Sequence, residues 1–185
     1  MSMQKNTNIA VMLALVVVVL FVALGFFGVR GLGNNSAALS GPQAILEELQ
    51  ATGAVSQLHT YDYSVGEGET AKVGDVIAVH YTGVLPDGTV FDSSYERGQP
   101  LVLRIAEGGA LQTLDGGSLI QGWSQGMQGM KVGGRRLLAI PSELGYGPNA
   151  VGTIPPNSTL LFDVELVQII PPSELEGANS DSQTQ

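Results

Sequence analysis

Residues Ile9 to Val29 form an unbroken apolar run with no charged side chain, and the rest of the chain has to be arranged around it. The run holds 21 residues and only two glycines, Gly25 and Gly28. As an α-helix rising 1.5 Å per residue it spans about 31 Å, the thickness of a bilayer's hydrocarbon core. The competing reading is a cleaved signal peptide, whose apolar stretch is about 7–15 residues with a small-residue cleavage site close behind. Here the nearest such site, Ser36-Ala37-Ala38, stands well beyond Val29. The run therefore reads as an uncleaved signal anchor, a single transmembrane helix over residues 9–29 behind a short segment, 1–8.

Orientation is weakly encoded, because Lys5 flanks one end and Arg30 the other. The free amino terminus adds positive charge on its side and tips the balance toward an inside N-terminus. The expected location is thus a single-pass membrane protein with its C-terminal domain on the extracytoplasmic face. No cysteine occurs, which excludes disulfide stapling and thiol chemistry without choosing a compartment. Residues 30–56 read as a linker, opening with the flexible Gly31-Leu32-Gly33-Asn34-Asn35-Ser36. Within it Pro42 near a first helical position and Gly53 as a stop predict a short helix over about 42–51. Ile45, Leu46 and Leu49 give that helix one apolar stripe, so it is either a spacer or packs on the domain. The tail, 172–185, has almost no apolar residues and is expected to be disordered.

What remains, 57–171, is the size of one domain. The net charge of −9 is spread along the chain, and Lys131, Arg135 and Arg136 make no basic stripe, which argues against nucleic acid as a partner. Alternating or β-branched segments between turn signals predict strands at Leu58–Val65, Asp75–Val84, Thr89–Asp92, Leu101–Ile105, Arg135–Ile140 and Thr159–Ile169. Pro86-Asp87-Gly88 is a hairpin turn, since Asp-Gly tolerates positive φ. Between strands, Leu119–Met130 carries one or two helical turns, with Trp123, Met127 and Met130 spaced to share a face. Strands with a lone short helix make an α+β fold.

On composition alone, the five aromatics Tyr81, Phe91, Trp123, Tyr146 and Phe162 read as core. Asp92 ahead of two serines reads as a turn or cap residue. His80 reads as structural or surface-facing, and a lone histidine without partner spacing is no metal site.

The motifs around those residues say more. In order they are Val79-His80-Tyr81-Thr82-Gly83, Val90-Phe91-Asp92-Ser93-Ser94, Leu119-Ile120-Gln121-Gly122-Trp123, Leu144-Gly145-Tyr146-Gly147, Ile154-Pro155-Pro156 and Leu161-Phe162-Asp163-Val164-Glu165-Leu166. Together they resemble the FKBP-type peptidyl-prolyl cis–trans isomerases, and six motifs in family order over roughly Val76 to Val167 are highly specific. The resemblance implies a curved antiparallel β-sheet wrapped around one short helix, with an aromatic pocket between them. It implies acceleration of X-Pro isomerisation in proline-containing polypeptides by desolvation and binding of the twisted transition state, with no cofactor and no metal.

By the same resemblance Trp123 is the pocket floor and Tyr81, Phe91 and Phe162 are its walls. The backbone N–H of Ile120 and the hydroxyl of Tyr146 face substrate carbonyls, and Asp92 orients Tyr81 or Arg97. Arg97, Leu101, Leu119 and Ile154 complete the substrate contacts, and macrolide inhibitors are candidate ligands. Departures exist: Leu101 stands where an aromatic is common, Ser118 where an acid or glutamine is common, and the glycine-rich 106–117 stretch is longer than in the minimal domain. The Tyr146–Ile154 loop is too short for an inserted chaperone flap. The competing functions are a proline-peptide or partner-binding module with little turnover, and a structural tether whose domain merely packs.

Overall fold

The computed structural model describes residues 41–171. The expected transmembrane helix, 9–29, and the tail, 172–185, lie outside them. Among the described residues no helix is long and apolar enough to cross a membrane.

Seven strands and two helices follow in order: α1 (Pro42–Thr52), β1 (His59–Ser64), β2 (Val76–Val84), β3 (Val90–Ser93), β4 (Leu101–Ile105), β5 (Leu111–Thr113), α2 (Gln121–Gly126), β6 (Arg135–Ile140) and β7 (Leu160–Ile170). They form one antiparallel sheet in the order β1-β6-β7-β2-β4-β5, with β3 hydrogen-bonded to β2 off that path. The expected α+β sheet with one short helix in its curve is present. β2 is buried along nearly its whole length because it is central, paired with β7, β4 and β3. β7 bulges opposite Ala78/Val79, where the partner jumps from Gln168 to Leu166 and Val167 is left out of the ladder. Such a bulge bends and twists the strand.

β6 separates two packing layers, because successive side chains leave opposite faces of a strand. Leu138 and Ile140 join the main core with Trp123, Met127, Leu160 and Phe162. Leu137 and Ala139 join a smaller cluster with Ile45 and Val55, flanked by Leu49 and Leu161. The helix at 42–51 is therefore no spacer: α1 packs on the outer face of the sheet. Pro42 opens it, and Gly53, in the left-handed region at φ 77°, closes it with its N–H donating to the Leu49 carbonyl. Glu48 fastens it further, accepting the Ser56 N–H at 2.6 Å and lying 2.9 Å from His59 Nε2.

α2 supplies the one or two helical turns expected within Leu119–Met130, and the apolar spacing runs on beyond it. Its helix stops at Gly126, and Gly129 turns the chain at φ 72° before Met130. Trp123, Met127 and Met130 are all buried nonetheless. The sequence Gln-Gly-Trp-Ser-Gln-Gly is a poor helix former, so packing holds it. A Cβ at Gly122 would fall 2.3 Å from Ile140 Cγ2, so the helix backbone rests directly on β6.

The 106–117 stretch is not bare loop. A 3-10 turn (Glu107–Gly109) leads to β5, which the spacing did not reveal. β5 pairs with β4, accepts the Leu119 N–H at the Leu111 carbonyl, and so fixes the chain leading into α2.

Candidate functional site

Where β2, β3 and β7 face the N-terminal end of α2, a cavity of about 390 Å³ opens. Tyr81 comes from β2, Phe91 and Asp92 from β3, Leu101 from the start of β4, Leu119 and Ile120 from the approach to α2, and Trp123 from α2 itself. Tyr146 and Ile154 come from the loop after β6, and Phe162 from β7. All these residues line the space. Arg97, on the turn after β3, does not; it reaches the site through Asp92 and Tyr81.

The aromatic walls are mutually fixed. Tyr81 and Trp123 meet edge-to-face at 5.1 Å between centroids, Trp123 and Phe162 at 5.2 Å, and Phe91 and Phe162 at 5.4 Å. Each such contact adds about 0.5–1.5 kcal/mol to the area term and restricts ring rotation. Gly83 on β2 makes this possible, because a Cβ there would lie 2.6 Å from the Phe91 ring and 2.9 Å from Phe162. The indole of Trp123 is only 3% exposed, yet it lines the cavity. Its N–H has no protein acceptor among the described residues, and none of their side-chain nitrogens or oxygens is both sealed from solvent and unpaired. The indole N–H is therefore open to the cavity.

The polar groups divide into two sets. One is satisfied: the Tyr81 hydroxyl donates to Asp92, Arg97 Nη1 donates to the other Asp92 oxygen, and Arg97 Nη2 donates to the Tyr81 oxygen at 2.8 Å. Burial, and then the hydrogen bond to Asp92, push the Tyr81 phenol up to about 12. It stays protonated across the physiological range. The hydrogen bond it donates to Tyr81 and the Asp92 carboxylate beside it hold Arg97 above its usual value. The other set is unspent: the Ile120 N–H and the Tyr146 hydroxyl have no acceptor among the described residues. Burial and then the Asp92 charge raise the Tyr146 phenol, which keeps it a donor.

Sequence reasoning missed two contributors. Val151, Gly152 and Thr153 form part of the rim, held by a bridge between Val151 and Ile154; an exposed valine in a glycine-containing loop is their only sequence signal. Ser94, wholly buried, accepts the Tyr81 backbone N–H at 2.8 Å and lies 3.0 Å from His80 Nδ1. This serine–histidine contact is no nucleophile pair, because Ser94 does not line the cavity. His80 itself stacks on Tyr95 at 4.5 Å, a structural setting. Among the described residues no group of histidine, aspartate and glutamate could hold a metal ion. What the site offers is a low-dielectric aromatic cleft with three unpaired donors, the Trp123 indole N–H, the Ile120 N–H and the Tyr146 hydroxyl, beside a neutral phenol whose own proton is held by Asp92.

The family model for FKBP-type peptidyl-prolyl cis-trans isomerase matches residues 67–167. A probable FKBP-type peptidyl-prolyl cis-trans isomerase of Haemophilus influenzae is 47% identical over 112 residues, 60% of this chain and 42% of that protein. An FK506-binding protein of Neisseria meningitidis serogroup B is 50% identical over 109 residues, 58% of this chain and 92% of that protein. The crystal structure of AtFKBP13 superposes with a TM-score of 0.52 at 42% identity, covering 61% of this chain and 93% of that one. The chain thus spans less than half the length of the Haemophilus relative and nearly all of the Neisseria one.

Proposed function

Since the chain belongs to the FKBP-type peptidyl-prolyl cis–trans isomerase family, we propose that its aromatic cavity accelerates rotation about X–Pro bonds in folding polypeptides. The barrier to that rotation is about 18–20 kcal/mol, because amide resonance is lost at the twisted geometry. Water favours the planar, dipolar ground state over the twisted one. A cleft walled by Tyr81, Phe91 and Phe162 over Trp123 removes that preference and binds the rotated imide more strongly than the flat one. The free donors at Ile120 and Tyr146 take substrate carbonyls on either side of the rotating bond. The hydroxyl of Tyr81, its proton spent on Asp92 and its oxygen on Arg97, holds that wall of the cavity in place as a neutral group.

The observation that carries this reading is the pairing of an aromatic-walled cavity with donors, at Trp123, Ile120 and Tyr146, that find no acceptor among the described residues. A simple packing core would leave no such groups. The test is cis-to-trans conversion of an X–Pro peptide followed with the full chain. Acceleration competed by a macrolide of the type that gives the Neisseria relative its name supports the enzyme. Peptide binding without acceleration retires it in favour of a proline-peptide binding module.

The run Ile9–Val29 is proposed as a single-pass anchor that places the domain on the extracytoplasmic face of a membrane, near emerging polypeptides. It rests on length and apolarity alone. A reporter fused after Gln185 and challenged with protease on intact cells tests it: cleavage supports this orientation, protection reverses it.

A further inference from the structure

A second cavity, of about 310 Å³, lies on the other side of α2 and shares no lining residue with the first. Its inner wall is aliphatic and thioether: Ile77, Leu111 and Leu166 with Met127 and Met130, all buried. Such a wall suits a flexible hydrocarbon, since methionine adapts to the shape it meets. Its volume lies at the lower end of about 300–1,000 Å³ typical of small-molecule sites.

The polar side chains on this cavity, Lys72, Ser124 and Gln128, each bring a donor that finds no acceptor among the described residues. Lys72 is in the lining and, like Arg104 and Lys131 elsewhere, makes no ion pair among the described residues. Asp75 takes the backbone N–H of Lys72 at 3.0 Å and leaves its ammonium unengaged. Ser124 Oγ accepts the Leu111 N–H at 3.0 Å, so its own proton is available. The Gln128 amide at the Gly109 rim has no hydrogen bond among the described residues. No aspartate or glutamate lines the space, in a chain of net charge −9. One cation, a hydroxyl and an amide N–H over an aliphatic well form the complement of an unbranched aliphatic chain ending in a carboxylate.

We infer that this cavity is a binding site for a short-chain aliphatic carboxylate, its hydrocarbon against Met127 and Met130 and its carboxylate at Lys72, Ser124 and Gln128. The inference stands apart from the isomerase reading, because it uses none of the same residues. α2 connects the two: Ser124 and Met127 face this cavity while Trp123 floors the other.

The test is an NMR titration of the full chain, labelled with 13C at its methionine methyls, with octanoate. The expected result is a saturating shift of the Met127 and Met130 methyls, with affinity at least tenfold weaker in Lys72→Met, which keeps the aliphatic stem. Met12, in the apolar run, is the internal control. Four results overturn the site: no saturation below the octanoate micelle concentration, equal binding of 1-octanol, unchanged affinity in Lys72→Met, or a Met12 shift tracking the others. Displacement of octanoate by an X–Pro peptide, with no Met127 or Met130 shift, assigns it to the first cavity and equally overturns the inference.

Discussion

The two faces of β6 carry helices of opposite character. On the outer face, Leu137 and Ala139 receive α1, an eleven-residue helix with proline at its start and a left-handed glycine at its end. On the inner face, Leu138 and Ile140 receive α2, six residues with a glycine at each face-to-face approach and no side-chain cap. α1 carries its own start and stop signals. α2 exists because the sheet is close enough to hold it. The difference teaches where the chemistry sits: the residue that floors the cavity rides on the helix with the least local specification, so its position depends on tight packing.

That contrast can be broken most severely by truncation. Trp123→Ala should cost about 3–5 kcal/mol of stability and bring isomerisation to the uncatalysed rate. Ile45→Ala should cost about 2–4 kcal/mol and leave the rate per folded molecule unchanged. Urea midpoints measured beside peptide turnover separate the two; an equal loss of turnover in both would mean the faces are not independent. Gly122→Ala tests the packing itself. Its Cβ must push Ile140 or lift α2, costing about 1–3 kcal/mol, and the displaced indole should lower kcat/KM by on the order of 10–100-fold.

A gentler probe is Tyr81→Phe, which keeps the ring and removes the hydroxyl. Stability should change by no more than about 1.5 kcal/mol at neutral pH, while turnover falls several-fold. The pH dependence has a definite sign. The Tyr81 phenol titrates at about 12 in the fold against about 10 in the unfolded chain. Between those values the folded protein holds the extra proton, so stability is intact below about 10 and falls as pH rises toward 12. The urea midpoint of Tyr81→Phe should decline less steeply through that window. Smallest is Arg97→Ala: its ion pair with Asp92 is exposed, worth about 0–1 kcal/mol, and turnover should drop less than in Tyr81→Phe.

The same contrast explains what could be read from the chain. Arg135–Ile140 and Leu101–Ile105 match their strands to the residue, because alternation and flanking turns are local signals. β5 escaped notice: three residues carry no period, and Leu111–Thr113 is held by β4 and the Leu119 N–H. The one or two helical turns expected within Leu119–Met130 are there as Gln121–Gly126, while Met127 and Met130 keep helical spacing after the helix has ended. Whether α1 packs was undecidable locally, since its partners Leu137 and Ala139 lie some ninety residues on. The site residues were named by motif and not by periodicity, which alone would have made Tyr81, Trp123 and Phe162 ordinary core. Arg97 shows the limit of that route: the resemblance counts it among the substrate contacts, and it props the site from outside through Asp92 and Tyr81.

The placement of α1 has one more implication. Gly41, where α1 begins, sits against Tyr61 on the reverse of the sheet, the side of Leu137 and Ala139, while the aromatic cleft looks out from the obverse. A strap fastened to the back of a hand leaves the palm open, and α1 covers no part of the cleft.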